Sequence, residues 1–204
     1  GYGLTETNAT CSSFTGEAFR LKPEASGTIS PIVEVRTLDS NGEPLPLGET
    51  GELSIKSPTN MRCYWKRPES SNETISDGWV STGDLGFVDE NGLIHLVGRI
   101  KDVIIRGGEN IYPAEIESVL SIHPAVSEVA VYGLPDDAWG EIVGATVFCK
   151  TAITAEDITS HVRATLAAFK VPEKIIISET PLMRNPAGKL LIKAIKEKAI
   201  ALGS

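Results

Sequence analysis

Four short motifs stand along the chain and combine residue types that bind phosphate, sugar and metal. They are Tyr2-Gly3-Leu4-Thr5-Glu6, Ser81-Thr82-Gly83-Asp84, Gly98-Arg99-Ile100-Lys101-Asp102 and Asn185-Pro186-Ala187-Gly188-Lys189. A threonine hydroxyl on a glycine-flanked loop can approach a phosphate closely, and a neighbouring glutamate offers a hard oxygen ligand for Mg²⁺. An aspartate can accept hydrogen bonds from both ribose hydroxyls, and arginine or lysine can donate to phosphate. The residue types are therefore compatible with a nucleotide site.

Each motif, taken alone, also fits an ordinary structural role. Thr5-Glu6 is compatible with a turn and a helix cap, and we expect Asp84 in a loop before Leu85, where aspartate after glycine is usual turn chemistry. Gly107-Gly108 is typical of a hairpin turn. Lys189 is predicted in a flexible segment before a helix, where it could simply point to solvent. The residues by themselves leave both interpretations open.

The order and spacing of the motifs, together with residues 107–117, carry a family resemblance. They resemble the later signature motifs of the adenylate-forming (AMP-binding) superfamily, which includes acyl-CoA synthetases, coumarate-CoA ligases, luciferases and the adenylation domains of peptide synthetases. The resemblance extends over essentially all 204 residues. It implies the C-terminal portion of an AMP-forming acid–thiol ligase, with ATP, Mg²⁺ and CoA as its nucleotide, metal and thiol acceptor.

The resemblance also implies a role for individual residues of the nucleotide site. Catalysis would fall to Thr5 at the α-phosphate, Glu6 at the magnesium ion, and Lys189, which would bridge the carboxylate substrate and the α-phosphate. The tyrosine would pack on the adenine, and the aspartate and arginine would bind the ribose. The full set of nucleotide-binding residues is Tyr2, Gly3, Thr5, Asp84, Arg99 and Lys189.

A second set of residues is implied for the thiol half of the reaction. Lys101 would be the hinge about which a small domain rotates between two half-reactions, because a charged residue favours the exposure that a moving joint requires. Gly107 and Gly108 would form the wall of a narrow CoA channel, with Trp139 nearby.

The elements that must position these residues change in character near residue 99. Before it, turn signals such as Ser40-Asn41-Gly42 and Glu90-Asn91-Gly92 separate short apolar stretches, which is typical of small antiparallel sheets. After it, helical and strand patterns are mixed. We therefore predict an α+β fold. Residues 1–98 would be the incomplete, β-rich C-terminal part of a large AMP-binding domain, and residues 99–204 a small mobile α+β domain with its hinge near Lys101.

Individual elements are predicted from periodicity and capping in the second half. Pro113 suits a first helical turn, and Thr154 is a plausible N-cap with Asp157 at the third helical position. Valine-rich alternation predicts strands, and apolar spacings of three and four predict helices. The predicted helices are residues 114–122, 154–169 and 190–202, and the predicted strands are 126–132, 142–148 and 174–178.

Composition narrows the class of protein. The chain is 41% hydrophobic, carries a net charge of −8, and has no apolar run near the roughly 20 residues that span a bilayer. We therefore expect a cytoplasmic protein without a membrane span and without nucleic-acid binding. Cys11, Cys63 and Cys149 show no paired spacing, which favours neither disulfides nor zinc, and Cys149 fits a plain core residue. Residues 163–198 hold eight basic and three acidic residues, which suits either a small-anion surface or a solvated helix face.

Two family features are absent from the sequence, and they limit the expected activity. No Ser/Thr/Gly-rich loop ending in lysine, which would cradle the β- and γ-phosphates, is present, and the acyl pocket region is absent too. We expect the chain to be inactive alone, with the N-terminal portion of the same enzyme and a carboxylic acid as its partners. Residues 108–117 favour a CoA ligase; a carrier-loading adenylation enzyme and a non-catalytic nucleotide- or partner-binding module stay open. Cys63 stands where glycine is commoner in the family.

Overall fold

Helices and strands alternate through the chain in the mixed α and β class that the sequence predicts. The structure is a computed structural model that describes residues 1–202. Contacts divide the chain into two units, which we call unit 1 (Gly1–Lys101) and unit 2 (from Asp102 onward). The division falls directly after Lys101, the residue expected to be a hinge. Rotation about it stays a prediction.

Unit 1 consists mainly of short strands. Its helices are α1 (Glu17–Leu21) and α2 (Pro68–Thr74), and a 3₁₀ turn covers Thr5–Thr7. Its strands are β1 (Tyr2–Leu4), β2 (Ala9–Ser13), β3 (Thr28–Ile29), β4 (Glu34–Leu38), β5 (Gly51–Lys56), β6 (Ile75–Ser76), β7 (Trp79–Val88) and β8 (Ile94–Arg99).

These strands form the small antiparallel sheets that the turn signals predict. One sheet has the order β1-β2-β3, and the other has the order β4-β5-β7, with β6 and β8 pairing with different parts of β7. Leu53, Ile55 and Ile94 are completely buried between them, and Tyr2 and Cys11 belong to the same apolar cluster. The first residues of the chain are thereby packed onto the strands that carry Asp84 and Arg99.

The turn before β8 forms as predicted from its sequence. Asp89 Oδ1 accepts hydrogen bonds from the backbone N–H groups of Asn91 (2.8 Å) and Leu93 (2.9 Å), and Gly92 has a positive φ of 72°. Glycine adopts this left-handed conformation without steric cost. The turn therefore rests on local chemistry and starts the pairing of β7 with β8, in which a register shift between Leu85 and Gly86 places Arg99 opposite Asp84.

Unit 2 is built around one five-stranded sheet with helices. The helices are α3 (Pro113–Ser121), α4 (Ala155–Arg163) and α5 (Ile192–Ala201), and a 3₁₀ turn covers Ala168–Lys170. The strands are β9 (Ile104–Arg106), β10 (Glu109–Ile111), β11 (Val126–Asp136), β12 (Gly140–Cys149) and β13 (Lys174–Ser178). The order is β10-β9-β12-β11, with β13 parallel to β12 and all other pairs antiparallel.

Both faces of this sheet carry an apolar core. Val129 and Val131 of β11 belong to a cluster with α3 and α4, whereas the alternate residues Ala130 and Tyr132 belong to a cluster with α5. The alternation follows from the two-residue period of a strand. Cys149 packs against the first cluster, as a plain core residue would.

One predicted helix of unit 2 is wrong in extent. The capping box predicted for Thr154 and Asp157 is present, but α4 ends at Arg163 rather than near residue 169. Ala167 adopts an extended conformation, and Pro172 favours extended backbone at Val171. Leu166 and Phe169 still reach the core, from a turn and a 3₁₀ segment. None of the helices in residues 1–202 combines the length and the apolar character that crossing a membrane requires.

Candidate active site

Asp84 is the centre of a hydrogen-bonded cluster in unit 1. Its Oδ2 accepts a hydrogen bond from the Tyr2 hydroxyl at 2.7 Å, and its Oδ1 accepts one from Arg99 Nε at 2.7 Å. The Asp84 side chain is 12% exposed and that of Arg99 is 48% exposed. Burial raises the pKa of Tyr2, and the adjacent Asp84 carboxylate raises it further. Tyr2 therefore keeps its proton at neutral pH and donates a hydrogen bond, and the cluster holds a partly exposed arginine against a buried carboxylate.

The prediction of a loop around Asp84 is wrong, because Asp84 lies within strand β7. Gly83 has a positive φ of 69°, and the pairing with β5 shifts register at this point, which is the mark of a bulge. Thr82 Oγ1 donates to the carbonyl of Leu53 at 2.7 Å and accepts from the N–H of Asp84 at 3.0 Å. The bulge and this threonine fix the backbone of Asp84 inside the sheet.

Thr5 and Glu6 lie in the 3₁₀ turn that follows β1. Asn8, in the left-handed conformation, closes the turn by donating its N–H to the Thr5 carbonyl at 3.1 Å. Thr5 is exposed, and Glu6 Oε1 accepts a hydrogen bond from the Tyr64 hydroxyl at 2.8 Å. Burial, and then the Glu6 carboxylate, raise the pKa of Tyr64. The local turn predicted for Thr5-Glu6 is thus present, and it presents both side chains at the surface of unit 1.

Two depressions in unit 1 collect most of the predicted nucleotide residues. A cavity of about 310 Å³ has both Glu6 and Arg99 in its wall, and we call it the polar cavity. An open depression of about 540 Å³ is lined by Tyr2, Gly3 and Thr5. Leu4 lines both. The other residues of the polar cavity are Glu52, Tyr64, Glu73, Thr74, Ser81, Thr82 and Gly83.

Sequence reasoning missed three residues of this region. Tyr64 orients Glu6, Thr82 fixes Asp84, and Glu52 Oε1 accepts the N–H of Gly83 at 3.0 Å. Thr82 stands inside a recognised motif, so its position was a usable signal. The sequence gives no comparable signal for Tyr64 and Glu52, because their hydrogen-bond partners lie 58 and 31 residues away.

A magnesium ion bound by the carboxylates of residues 1–202 would need further ligands from substrate or water. No group of three or more His, Cys, Asp or Glu side chains that could hold a metal occurs within residues 1–202. Mg²⁺ is usually bound through one or two carboxylates, with water and substrate phosphates completing its shell. Glu6, in the wall of the polar cavity, is a donor of that kind.

The three residues predicted for the CoA channel, Gly107, Gly108 and Trp139, come together at one edge of the unit 2 sheet. Gly107 and Gly108, with φ of 58° and 90°, form the two-residue turn between β9 and β10, as the hairpin interpretation predicts. The Gly107 N–H donates to the Trp139 carbonyl at 2.8 Å. A Cβ on Gly107 would lie 2.8 Å from the Trp139 ring, so no side chain fits there. Arg106 stacks on the same ring at 4.7 Å from its centroid.

Backbone hydrogen bonds close the segment that carries Lys189, for which the sequence predicts a flexible loop. Residues 184–190, which we call the lysine loop, begin and end with a bridge between Arg184 and Leu190. The Lys189 carbonyl accepts from the Asn185 N–H at 2.9 Å, and the Lys189 N–H donates to Asn185 Oδ1 at 3.0 Å. The Lys189 side chain is exposed. The backbone of Lys189 is therefore fixed while its ammonium group reaches solvent.

Comparison with known proteins identifies the class of protein that this chain matches. Residues 1–65 match the family model for AMP-binding enzymes, and residues 115–189 match the model for the C-terminal domain of AMP-binding enzymes. Together these ranges cover more than half of the chain.

Individual relatives match nearly the whole chain. The long-chain-fatty-acid–CoA ligase FadD13 of Mycobacterium tuberculosis is 40% identical over 199 residues, which is 97% of this chain and 39% of the relative. The fatty acid–[acyl-carrier-protein] ligase ScoC of Streptomyces coeruleorubidus is 40% identical over 203 residues, which is 97% of this chain and 39% of that relative. The chain thus spans about two-fifths of the length of these curated relatives.

A solved structure matches the fold as well. The o-succinylbenzoate CoA synthetase of Bacillus subtilis, in complex with the acyl-adenylate intermediate OSB-AMP, superposes with a TM-score of 0.89 at 35% identity. The match covers 96% of this chain and 40% of that one.

Proposed function

The chain belongs to the family of AMP-binding enzymes, and we propose that it forms the C-terminal part of an ATP-dependent carboxylate–CoA ligase. The observation that carries this proposal is the convergence of Glu6 and Arg99 on the polar cavity, with Arg99 bonded to the Asp84–Tyr2 pair. Relatives two and a half times as long as the chain support an N-terminal portion in the complete enzyme. We place this enzyme in the cytoplasm, where ATP and CoA are available.

The Tyr2–Asp84–Arg99 cluster would bind the nucleoside. The hydrogen bonds from Tyr2 and Arg99 use one acceptor position on each Asp84 oxygen. A carboxylate has about four such positions, so Asp84 can also accept from ribose hydroxyls. The ion pair engages Nε of Arg99, which leaves its terminal amino groups to donate to the sugar or to a phosphate. Gly3 permits close approach of the backbone, and the Tyr2 ring would lie against the adenine.

Thr5, Glu6 and Lys189 would act on the reacting phosphate. A carboxylate oxygen of the acid attacks the α-phosphorus, the bond to pyrophosphate breaks, and the acyl-adenylate forms. The Thr5 hydroxyl donates to an α-phosphate oxygen, and Glu6 would hold Mg²⁺, which would neutralise charge on the phosphates. The Lys189 ammonium bridges the acid and the α-phosphate. Donors already in place cost no reorganisation when the charge develops.

The hairpin of unit 2 would serve the second step. The CoA thiol attacks the carbonyl carbon of the acyl-adenylate, AMP leaves, and a thioester forms. Gly107 and Gly108 would line the path of the thiol, because a wall without side chains lets a narrow ligand pass close to the backbone. Trp139, half exposed and packed against Gly107, would border this path, while the space beside Gly108 is open. Rotation of unit 2 about Lys101 would bring Lys189 and the hairpin to the reacting groups in turn.

The reaction is tested in the complete ligase by two assays. Exchange of labelled pyrophosphate into ATP reports the first step, and release of AMP on addition of CoA reports the second. We expect exchange that requires both Mg²⁺ and one class of carboxylic acid. Absence of exchange with fatty, aromatic and dicarboxylic acids would refute the ligase assignment.

A carrier protein is the second candidate for the thiol acceptor. It is favoured by the similarity to the Streptomyces fatty acid–[acyl-carrier-protein] ligase, which is as high as that to the Mycobacterium CoA ligase. The two acceptors share the pantetheine thiol, so the hairpin accommodates either. Replacing CoA by a phosphopantetheinylated carrier protein in the AMP-release assay separates them. We expect faster release with CoA.

The purified 204-residue chain should form no acyl-adenylate with ATP, Mg²⁺ and the same acids. The triphosphate cradle and the acid pocket are not among its motifs, and contacts that act as a unit lose far more than the sum of their parts when separated. Weak AMP binding without turnover would fit either a ligase part or a non-catalytic nucleotide-binding module, and activity of the complete ligase distinguishes the two. Rapid pyrophosphate release by the chain alone would contradict this expectation.

A further inference from the structure

The lysine loop is connected to the strand β11 by a pair of charged residues that none of the proposed catalytic roles uses. Arg184 Nη2 donates to Glu128 Oε1 at 3.0 Å, while Arg184 Nη1 donates to the carbonyl of Gly188 at 2.7 Å. The second oxygen of Glu128 accepts the N–H of Leu182 at 2.7 Å. One carboxylate thus holds the segment entering the loop, and one guanidinium reaches across the loop to the residue before Lys189.

The local sequence of the loop supports a single backbone conformation. The Gly188 N–H donates to the Asn185 carbonyl at 2.9 Å, closing a four-residue turn with proline at its second position. Proline at that position presets the backbone angle that such a turn requires. Gly188, with φ of 82°, provides the left-handed conformation that directs the chain into Lys189. The turn thus holds the Gly188 N–H, and the Glu128–Arg184 pair, which we call the clamp, holds the Gly188 carbonyl.

The surroundings of Glu128 favour its ionised form. The N–H of Leu182 lowers the pKa of Glu128 most, and the hydrogen bond and positive charge of Arg184 lower it further. The Glu128 side chain is 19% exposed, whereas that of Arg184 is 43% exposed. Leu182 is itself buried in the α5 cluster. The clamp is thus anchored to the core at one end and reaches the surface at the other.

We propose that Glu128 and Arg184 are positioning residues that hold the lysine loop so that Lys189 is presented for acyl-adenylate formation. This inference rests on the function proposed above. A lysine side chain is long and flexible, so its effective placement depends on how well its backbone is fixed. Displacements of about 1 Å at a reacting group can reduce a rate by about 100-fold. The planar guanidinium suits this task, because it donates in two fixed directions at once and an ammonium group does not.

The first test measures the loop itself in the 204-residue chain. Arg184→Lys keeps the charge and removes the fork, and Glu128→Gln keeps the shape and removes the charge. In both variants, amide hydrogen exchange of Gly188 and Lys189 should accelerate by about 10-fold or more, while the β11 and β12 amides stay protected. Arg163 is an exposed arginine in the last turn of α4, and Arg163→Lys is the matched control. It should change the exchange rate neither of the loop amides nor of the β11 and β12 amides. Unchanged exchange at Gly188 and Lys189 would overturn the clamp.

The second test measures the two half-reactions in the complete ligase. Arg184→Lys and Glu128→Gln should lower kcat for pyrophosphate exchange by about 10- to 100-fold with little change in KM for ATP. Thioester formation from supplied acyl-adenylate should stay at the wild-type rate. Equal loss in both half-reactions would indicate a folding defect and overturn the inference. Wild-type rates of pyrophosphate exchange in the variants would also overturn it. An inactive wild-type ligase would instead refute the proposed ligase function.

Discussion

The two units differ in what they bury. Among residues 1–202, the buried polar or charged side chains all belong to unit 1 except Thr146. Those of unit 1 are Thr7, Ser12, Thr37, Ser54, Ser71, Thr82 and Asp84. Unit 2 buries apolar residues on both faces of its sheet and displays its candidate residues on exposed turns. The candidate site of unit 1 is therefore anchored by a buried carboxylate, whereas the candidate residues of unit 2 lie on its surface.

This difference has a physical consequence for how each unit can work. A buried hydrogen-bonded carboxylate such as Asp84 is rigid, and it is costly to disturb, because its partners lose compensation when it is removed. Turns at the surface of an apolar core can contact a substrate one after another while the core stays unchanged. A fixed nucleoside site in unit 1 and interchangeable surface groups in unit 2 would suit a two-step reaction.

The largest expected effect tests whether unit 2 is stabilised by its own core. Leu120→Ala in α3 removes a completely buried side chain and should cost roughly 3–5 kcal/mol of unfolding free energy. The matched control Ile122→Ala lies two residues away and is 78% exposed, so it should change little. Urea unfolding followed by hydrogen exchange measures both. We expect unit 2 to be the better protected unit in the wild type and to lose protection alone in Leu120→Ala.

A parallel loss of protection in unit 1 would show that the two units unfold together. Uniformly stronger protection of residues 1–98 in the wild type would contradict the expectation that residues 101–202 form an independent folding unit.

The next effect tests the interchangeable groups of unit 2. Lys189→Ala in the complete ligase should lower the rate of acyl-adenylate formation by about 100-fold, or about 3 kcal/mol, and spare thioester formation from supplied acyl-adenylate. Lys193→Ala is the control, because its side chain is 92% exposed and its ion pair with Glu197 is long, at 4.0 Å. Equal losses in both half-reactions would defeat the model of two orientations, and no loss in either would leave Lys189 a solvent residue.

A smaller loss of stability is expected when a buried polar group is changed, and one such group is compared in each unit. Asp84→Asn removes the charge that Tyr2 and Arg99 contact, and should destabilise unit 1 by about 1.5–3 kcal/mol. Thr146→Val removes one hydroxyl partner of Tyr132 and should cost about 1 kcal/mol in unit 2. Hydrogen exchange resolved by unit measures each, and calorimetry with AMP should detect weaker binding only for Asp84→Asn. Equal AMP affinity in the two variants would remove Asp84 from the nucleoside site.

The smallest effect concerns acid pH and the turns of unit 1. Desolvation opposes ionisation of Asp89, but hydrogen bonds from the Leu93 N–H, His95 and the Asn91 N–H outweigh it and lower the pKa to about 2. Since the unfolded chain binds this proton first, the stabilisation is complete above about pH 4 and is lost as pH falls towards 2. Asp89→Asn should reduce the dependence of unit 1 stability on pH in this range.

Asp39 provides the comparison for that measurement. It accepts N–H hydrogen bonds from Asn41 and Glu43 in the same pattern, whereas Asp89 has the additional contact with His95. The N–H of Glu43 lowers its pKa. Asp39→Asn should therefore change the acid dependence in the same direction and by less. A steeper loss of stability in either variant on acidification would contradict the sign of this prediction.

The sequence by itself determined the features that depend on neighbouring residues. The turn at Asp89 to Gly92 and the hairpin at Gly107-Gly108 follow from backbone angles that glycine permits and from hydrogen bonds between residues two to four apart. The capping box of Thr154 and Asp157 is equally local. The order of the four motifs likewise identified the family before any contact was known.

Only the tertiary structure decided how the candidate site is held. Asp84 lies in a strand rather than a loop because β7 pairs on both sides, and its partner Tyr2 is 82 residues away. The lysine loop is joined to β11 because Arg184 meets Glu128, which is 56 residues distant. No local pattern encodes such pairs, since either residue alone is compatible with solvent. Their contact exists only after the sheets of each unit have assembled and brought distant segments within hydrogen-bonding distance.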